Sequence, residues 1–297
     1  MKKTIDIIKH LLNKKSKNEM MNYHNKQNRD FIRDPVFFIG TGRSGTHFFA
    51  DLFGRHDDIA SYHTDKHDKH DLDSFSRFIK WFELPISTKN VIDYRGFYIE
   101  KSNEKNKMYI EANAYLSFMV QEFYENFNAK LILTTRDPKK VVNSLDNKGW
   151  YKNVKNYDAI NPFPDYNFPR LNHSFGRISP KTADELSLWK NYSSIGKNAW
   201  FWNSYHKFIF ELFENLPSTH KKIIKIEEFD FEEYKNICKF IGTPIQLSQN
   251  DFEKIVNNRP EKSKKIRDVN EWVEQEKKEF NELTALTRNK LGYHEIK

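Results

Sequence analysis

The residues of this chain best suited to chemistry lie in a short glycine-rich segment, Gly40-Thr-Gly-Arg-Ser-Gly-Thr46. The apolar run at residues 36–39 predicts a buried strand before it, and the apolar spacing of residues 46–53 predicts a helix after it. A glycine turn between a strand and a helix directs backbone N–H groups and a helix N-terminus towards one point, which suits a phosphate. The sequence therefore predicts an anion-binding loop here.

This loop differs from an ordinary nucleoside-triphosphate loop in where its cation lies. Gly40 and Gly45 match the two glycines of the pattern G-x-x-x-x-G-K-[ST], but the next residue is Thr46, followed by His47, and not lysine. Arg43, inside the loop, is the available cation instead. Glycine-rich turns between a strand and a helix also bind dinucleotides or simply reverse the chain, so the loop alone leaves those interpretations open.

A second group of residues able to bind an anion follows residues 130–135, which predict another strand. Arg136, Asp137 and Pro138 come directly after this run, and Ser144 lies two helical turns further on. Pro138 suits the first position of a helix, and Asp137 suits the capping position before it. Arg136 offers a planar fork of donors to a phosphate, and the Ser144 hydroxyl would face the same group. The arginine, aspartate and proline on their own would predict only the start of a helix.

In these two motifs the chain resembles the sulfotransferases that use 3′-phosphoadenosine-5′-phosphosulfate (PAPS). Residues 42–46 resemble the family's 5′-phosphosulfate loop, with arginine in the cation position as in tyrosylprotein and several carbohydrate sulfotransferases. Arg136 and Ser144 match the family's 3′-phosphate site in identity and spacing. The resemblance is clear from residue 36 to residue 144, and it implies PAPS as co-substrate without a metal. The residues that it assigns to the nucleotide are Gly42, Arg43, Ser44, Gly45, Thr46, His47, Arg136 and Ser144.

The resemblance also implies how the reaction is catalysed. Arg43 would neutralise the charge that develops on the bridging oxygen as the sulfur–oxygen bond breaks, and Thr46 and His47 would add donors there. By analogy with phosphoryl transfer, catalysis would then consist of positioning and charge stabilisation.

A general base is expected in residues 55–65, which resemble a segment that supplies the base in tyrosylprotein sulfotransferases. His56 and Asp58 match that segment, and His63 stands where the family has an acidic residue. This is a departure from the family pattern, but imidazole titrates near neutral pH and can accept the acceptor's proton. His63 is therefore the first candidate for the base, and an ordinary solvated histidine is the alternative.

Glu111 is the second candidate for the base. It lies in residues 108–113, which predict a strand whose carboxyl end would lie where open α/β sheets bind ligands. Its structural alternative is an ion pair with Arg43 or Arg136. The histidines and aspartates between residues 63 and 71 could also suggest a metal, but their spacing fits no zinc motif, so we expect none.

Composition limits the classes of function. The chain has 297 residues, a formal net charge of +8 and a single cysteine, Cys238. The positive charge favours anionic partners, but no nucleic-acid-binding motif is recognisable, so we expect no nucleic acid. One cysteine excludes an intrachain disulfide and favours a reduced compartment, the cytoplasm. No apolar run reaches the ~20 residues of a membrane helix, although the basic residues 1–15 could form an amphipathic helix that packs on the domain or contacts a membrane surface.

We expect a single α/β domain similar to that of P-loop NTPases, with helices on both faces of a parallel sheet of four or five strands. The clear strand candidates are residues 36–39, 108–113, 130–135 and 221–228. A basic helix and linker at residues 1–34 would precede the sulfotransferase domain at residues 35–297. Residues 149–183, rich in proline, aromatic and amide side chains, would form an acceptor-binding lid. A basic loop could close over PAPS through Arg259, Lys262, Lys264 and Lys265.

The predicted reaction is transfer of a sulfuryl group from PAPS to a hydroxyl of an acceptor, leaving adenosine 3′,5′-bisphosphate (PAP). The aromatic and amide side chains of the lid favour a carbohydrate acceptor, a sugar or polysaccharide. Two alternatives stay open: a P-loop kinase or related phosphotransferase, and a non-catalytic protein of this fold that binds an acidic glycan. The acceptor, the choice between His63 and Glu111, the oligomeric state and the role of the N-terminal helix also stay open.

Overall fold

The computed structural model describes residues 31–63, 70–152, 176–257 and 267–293. Four groups of predictions therefore lie partly or wholly outside the described residues: the basic helix and linker up to residue 30, residues 64–69 of the histidine and aspartate segment, residues 153–175 of the lid, and the basic loop. The basic loop contains Arg259, Lys262, Lys264 and Lys265. The other candidate site residues all lie within the described ranges.

The described residues form an α/β fold around a five-stranded sheet. All four strand pairings are parallel, and the strand order is β2-β3-β1-β4-β5. The strands are β1 (Val36–Gly40), β2 (Ile59–His63), β3 (Met108–Ala112), β4 (Lys130–Thr135) and β5 (Lys221–Lys225). The predicted α/β class, with a parallel sheet of four or five strands, is confirmed.

Helices cover both faces of this sheet. They are α1 (Thr46–Phe53), α2 (His70–Trp81), α3 (Lys89–Asn103), α4 (Val120–Phe127), α5 (Pro138–Asn147), α6 (Ala183–Asn191), α7 (Ser194–Glu214), α8 (Phe231–Ile241), α9 (Gln249–Asn257) and α10 (Glu274–Lys290). Phe37 and Ile39 of β1 join an apolar cluster with α4, α5, α7 and α10, whereas Val36 and Phe38 join another with α1, α8 and α9. Since alternate strand residues face opposite sides, each face of the sheet has its own core.

Strand β2 is not among the strands that the sequence predicts. Only Ile59 is buried, and residues 60–63 are half-buried, so the segment lacks the apolar run that marks an inner strand. It pairs with β3 from Ile59 opposite Met108 to His63 opposite Ala112. This edge strand is therefore specified by its neighbour more than by its own hydrophobicity, and it carries His63 to the carboxyl end of the sheet.

The sequence predicts a helix at residues 114–127 and a mostly helical segment at residues 183–216, and the structure divides both. Residues 114–127 form a 3-10 turn at Ala114–Leu116 and then α4, because the Asn113 side chain accepts a hydrogen bond from the Tyr115 N–H and caps the short turn. Residues 183–216 divide into α6 and α7 at Ser193, whose side chain accepts the Gly196 N–H as the N-cap of α7. Short-range capping bonds thus override the apolar spacing at both places.

The tryptophan side chains of α6 and α7 lie in the core. Trp189, Trp200 and Trp202 are each at most 5% exposed. Cys238 of α8 is also buried, and burial raises the pKa of its thiol to about 11. Within the described ranges, no helix combines the length and apolar character needed to cross a membrane.

His206 of α7 makes the stability of this core depend on pH. The imidazole is fully buried, with Nδ1 2.7 Å from the Trp202 carbonyl oxygen, and burial lowers its pKa to about 4. The unfolded chain, with a histidine pKa of about 6.5, binds a proton that the folded chain does not as the pH falls from about 6.5 to about 4. The free energy of unfolding should therefore decrease through this window, by at most about 1.4 kcal/mol per pH unit.

We expect His206→Met to remove this contribution. The slope of the free energy of unfolding against pH between pH 6.5 and pH 4 should then decrease by up to about 1.4 kcal/mol per pH unit. Urea unfolding at a series of pH values measures the slope. Ile209→Val, at a buried position of the same helix, is the control: it should cost about 1 kcal/mol at every pH and leave the slope unchanged. An unaltered slope in His206→Met would contradict the assignment.

Candidate active site

The loop between β1 and α1 is shaped by its own hydrogen bonds. The Ser44 N–H and hydroxyl both donate to the Thr41 carbonyl oxygen, at 3.2 and 2.5 Å, so both donors of this buried serine are used within the loop. Gly45, the N-cap of α1, has a φ of 89°, and a Cβ there would lie 2.2 Å from Ile226 Cδ1. The turn into the helix therefore requires glycine at this position.

The base of the loop is anchored by two residues that the sequence did not identify. The Gly40 N–H donates to Ser117 Oγ at 3.0 Å, and the Gly40 carbonyl accepts from the Tyr205 hydroxyl at 2.5 Å. A Cβ on Gly40 would lie 2.4 Å from the Thr134 carbonyl oxygen of β4, so the two strands approach closely here. Ser117 and Tyr205 come from a loop and a helix remote in sequence, and nothing in their local patterns marks them as loop anchors.

The two motifs predicted to bind anions meet at the carboxyl end of the sheet. Arg43 Nε donates to Ser144 Oγ at 3.0 Å, and Arg136 Nη1 donates to the Arg43 carbonyl oxygen at 3.2 Å. The structure thus brings Arg43, Arg136 and Ser144 into one contiguous group, although the first is about a hundred residues from the others. A single ligand of nucleotide size can therefore reach both motifs.

The electrostatics of this group favour an anion. Burial lowers the pKa of Arg43, and the nearby positive charge of Arg136 lowers it further. Arg43 itself has a φ of 78°, the left-handed region, which costs a residue other than glycine about 1–3 kcal/mol. Two arginines held against each other repel, and a dianion between them would relieve that repulsion. A strained loop residue with a like charge held against it is typical of a binding site.

The helix α5 begins as the sequence predicts. The Asp137 side chain accepts the Lys139 N–H at 2.8 Å as the N-cap, and Pro138 occupies the first turn. Arg136 and Asp137 are the two residues between the end of β4 and the start of α5. Ser144, half-buried two turns into that helix, lies on the side that faces Arg43. The helix therefore fixes the spacing between the Arg136 guanidinium and the Ser144 hydroxyl.

Two histidines lie side by side next to the loop. The ring centroids of His47 and His63 are 4.5 Å apart, with the ring planes at 64°. His47 is in the first turn of α1 and exposed, whereas His63 is the last residue of β2 and half-buried. Because β2 is parallel to the other strands and ends at His63, this side chain lies at the same end of the sheet as Arg43. An imidazole here could exchange a proton with a ligand bound at the loop.

Glu111 has a different partner from the arginines expected from the sequence. Its carboxylate is fully buried and is ion-paired with Arg95 of α3, whose Nη2 lies 3.0 Å from Glu111 Oε1. The Tyr109 hydroxyl also donates to Oε2 at 2.7 Å, and Asn113 Nδ2 to Oε1 at 2.9 Å. The ion pair considered as the structural alternative is therefore present, but its partner is Arg95, which holds this carboxylate within the interior.

The ion pair is part of a larger buried network that the sequence did not reveal. Arg95 also bridges to Asp73 of α2 at 2.6 Å, and Asn113 Nδ2 donates to the same aspartate at 2.9 Å. Burial raises the pKa of Asp73; Arg95 is also buried, but the carboxylates of Asp73 and Glu111 raise its pKa well above the ordinary value. Asp73 and Arg95 lie in the two helices that precede β3, and only the tertiary fold brings both side chains to Glu111, so no local signal indicates the network.

Comparison with known proteins places the chain in a family. A family model described as the sulfotransferase domain matches residues 33–290, while no curated protein sequence matches the chain significantly. Among solved structures, the chain is similar to the sulfotransferase domain from the curacin biosynthetic pathway, at 11% identity and a TM-score of 0.50, covering 89% of this chain and 99% of that chain.

Two further solved structures are similar at lower TM-scores. Mouse sulfotransferase SULT7A1, complexed with PAP, has 17% identity and a TM-score of 0.46 over 92% of this chain and 90% of that chain. Sulfotransferase STF9 from Mycobacterium avium has 11% identity and a TM-score of 0.47 over 92% and 78%. The family match spans the five strands, the glycine loop and the Arg136–Ser144 motif alike, and the chain therefore belongs to the sulfotransferase domain family.

Proposed function

We propose that this sulfotransferase uses PAPS as its donor and transfers the sulfuryl group to a hydroxyl of a carbohydrate. The observation that carries the proposal is the contact of Arg43 with Ser144 and Arg136, which joins a 5′-phosphosulfate loop to a 3′-phosphate motif. A nucleotide with phosphates on both sides of its ribose is the ligand whose charge distribution suits two such adjacent groups.

The two ends of the donor nucleotide are bound by different elements. Backbone N–H groups of residues 42–46, other than that of Ser44, and the N-terminus of α1 hold the 5′-phosphosulfate. Arg136 and Ser144 hold the 3′-phosphate through charge-assisted hydrogen bonds. Because ATP lacks a 3′-phosphate, this second group selects PAPS over ATP. The donor needs no metal clamp, since it has no triphosphate.

The transfer step breaks the bond from sulfur to the oxygen that bridges it to the 5′-phosphate, and forms a bond from sulfur to the acceptor oxygen. The electron pair of the broken bond stays on the bridging oxygen, where Arg43 and donors from Thr46 and His47 stabilise the charge. The acceptor hydroxyl gives its proton to the base. The products are a sulfate ester and PAP.

His63 is the base in this proposal. It lies beside His47 at the loop, whereas both oxygens of Glu111 are engaged by Arg95, Tyr109 and Asn113 in the interior. A carboxylate held by several donors is stabilised in its charged form and is a poor proton acceptor. Glu111 instead secures the end of β3 beneath the site.

A carbohydrate acceptor is supported by the composition of residues 149–183. Aromatic rings stack on sugar faces and amide side chains hydrogen-bond to hydroxyls, and this region follows α5 directly in the sequence. We further propose that the basic loop containing Arg259, Lys262, Lys264 and Lys265 contributes cations to the donor.

Transfer of ³⁵S from labelled PAPS to a panel of sugars and polysaccharides tests the proposed function. We expect a labelled sulfate ester with the wild-type protein, and a kcat about 10²–10³-fold lower for Arg43→Ala, since one preorganised charge at the bridging oxygen is lost. Arg55→Ala, an exposed arginine near the end of α1, is the matched control and should retain activity. A protein that binds glycans but transfers no label would instead be a non-catalytic binder, and phosphate transfer from ATP would indicate a kinase.

The 3′-phosphate assignment predicts a selective loss of nucleotide binding. Arg136→Ala should weaken PAP binding about 10- to 100-fold in calorimetry, because a hydrogen bond between charged groups is lost, and should raise the KM for PAPS. Lys140→Ala removes a charge from the exposed side of the following helix, α5, and is the control. Equal PAP affinity in the wild type and Arg136→Ala would remove the assignment.

The assignment of the base predicts a change in the pH profile. His63→Gln should lower kcat about 10²–10⁴-fold and abolish the rise of kcat with pH that an imidazole base produces, while the KM for PAPS changes little. His220→Gln, which alters a histidine at the opposite end of β5, is the control. If the rise of kcat with pH persists in His63→Gln, another group takes the proton.

A further inference from the structure

The last described residues of the chain return to the carboxyl end of the sheet. Helix α10 ends at Lys290, and Gly292 follows with a φ of 71°. The Gly292 N–H donates to the Asn289 carbonyl at 3.0 Å and the Tyr293 N–H to that of Arg288 at 2.9 Å. This paired pattern is the Schellman motif, which needs glycine at the left-handed position. It fixes the direction in which Tyr293 leaves the helix.

The Tyr293 hydroxyl lies between the ends of β4 and β5. It is 3.1 Å from Thr135 Oγ1, at the last residue of β4, and donates to Glu227 Oε2 at 3.2 Å. Lys225 Nζ of β5 lies 5.2 Å from the centre of the ring and also donates to the Gly292 carbonyl at 3.3 Å. Burial raises the pKa of Tyr293, and the Glu227 carboxylate raises it further, so the hydroxyl remains a donor.

Glu227 connects this tyrosine to the 3′-phosphate motif. Its second oxygen, Oε1, accepts the Asp137 backbone N–H at 3.0 Å. Arg136 therefore lies between two residues that are fixed from the same side: Thr135 by the Tyr293 hydroxyl, and Asp137 by Glu227. Thr135 is also held by its ladder with Lys225, and the Asp137 carbonyl accepts the Val141 N–H at 3.0 Å as a helix bond of α5. The side-chain contacts of Tyr293 and Glu227 add to these bonds on either side of Arg136.

We propose that Tyr293 and Glu227 are positioning residues that orient Arg136 towards the 3′-phosphate of the donor. The turn at Gly292-Tyr293 thereby sets the preference of the enzyme for a 3′-phosphorylated nucleotide, although neither side chain touches the nucleotide. This inference rests on the proposed function, because it assumes that Arg136 binds a 3′-phosphate. It adds that the discrimination depends on a hydrogen-bond relay from the C-terminal turn.

A purely structural role for Tyr293 predicts a different result. Its ring packs against the larger apolar cluster, so loss of packing would lower stability and weaken every nucleotide equally. Loss of the hydroxyl alone affects the relay and spares the ring. The comparison of PAP with AMP, which lacks the 3′-phosphate, separates the two roles.

The experiment measures PAP and AMP binding by calorimetry to the full chain and to Tyr293→Phe. We expect the wild type to prefer PAP, and Tyr293→Phe to lose about tenfold in PAP affinity while AMP affinity changes less than twofold. In turnover, the KM for PAPS should rise with kcat nearly unchanged. Tyr192→Phe, a partly buried tyrosine at the end of α6, is the matched control and should leave both affinities unchanged.

A second variant tests the relay without touching the core. Glu227 is exposed, so Glu227→Ala should fold, and it should lose PAP affinity as Tyr293→Phe does. Glu227→Gln keeps an oxygen for the Asp137 N–H and should be milder. In the double variant Tyr293→Phe/Glu227→Ala the two losses of PAP affinity should be less than additive, because the hydroxyl and the carboxylate contact each other.

Two results would overturn the inference while leaving the donor assignment intact: wild-type PAP affinity in both Tyr293→Phe and Glu227→Ala, or equal losses of PAP and AMP affinity. A wild-type protein that binds PAP no better than AMP would overturn the donor assignment itself, and the relay with it. The preference of the wild type therefore distinguishes failure of the proposed function from failure of the inference.

Discussion

The parallel pairing of β1 with β4 is the constraint on which the site depends. The register places Gly40, where the loop begins, opposite Thr134, two residues before Arg136. Because parallel strands end at the same edge, everything that follows either strand emerges there. The glycine loop and the arginine motif are far apart in sequence, and only this pairing lets Arg43 reach Ser144. A sheet with another strand between β1 and β4 would separate the glycine loop from the arginine motif by about 5 Å more for each inserted strand.

The same edge is supported from beneath by buried charge. Arg95, Asp73 and Glu111 form an ion-paired group that is almost entirely excluded from solvent. The Asn113 Nδ2 donates to both carboxylates of this group, and its Oδ1 accepts the Tyr115 N–H that caps the 3-10 turn. Such groups contribute little net stability, since desolvation offsets much of the Coulombic gain, but leaving one member unpaired is costly. Their effect is to allow few alternative arrangements of β3 relative to α2 and α3. That rigidity holds the strand ends on which the loop and the histidines depend.

The features that the sequence could predict are those encoded by neighbouring residues. Strands β1 and β4, helices α1 and α5, the Asp137 cap and the glycine turn all follow from periodicity, capping and turn chemistry within about ten residues. Strand β2 could not be recognised because pairing with β3, not its own apolar pattern, defines it. Arg95, Ser117, Tyr205 and Tyr293 could not be assigned because each contacts the site only through the tertiary fold. Glu111 shows the same limit: its position was predictable, but its partner was not.

The carboxylates near the proposed donor site leave the charges of Arg43 and Arg136 available to a ligand. Asp137 directs its side chain to the Lys139 N–H, and Glu227 accepts from the Asp137 N–H and the Tyr293 hydroxyl. Both acids thus satisfy backbone and hydroxyl donors, while the contacts of Arg43 and Arg136 are to a hydroxyl and a carbonyl. A direct ion pair with either acid would have to be broken before a phosphate could bind, at a cost of several kcal/mol once desolvated. The carboxylates bind backbone N–H groups next to the arginines, so they orient the segment without pairing with the guanidinium groups. A dianion that binds there would therefore keep most of the Coulombic attraction of both arginines.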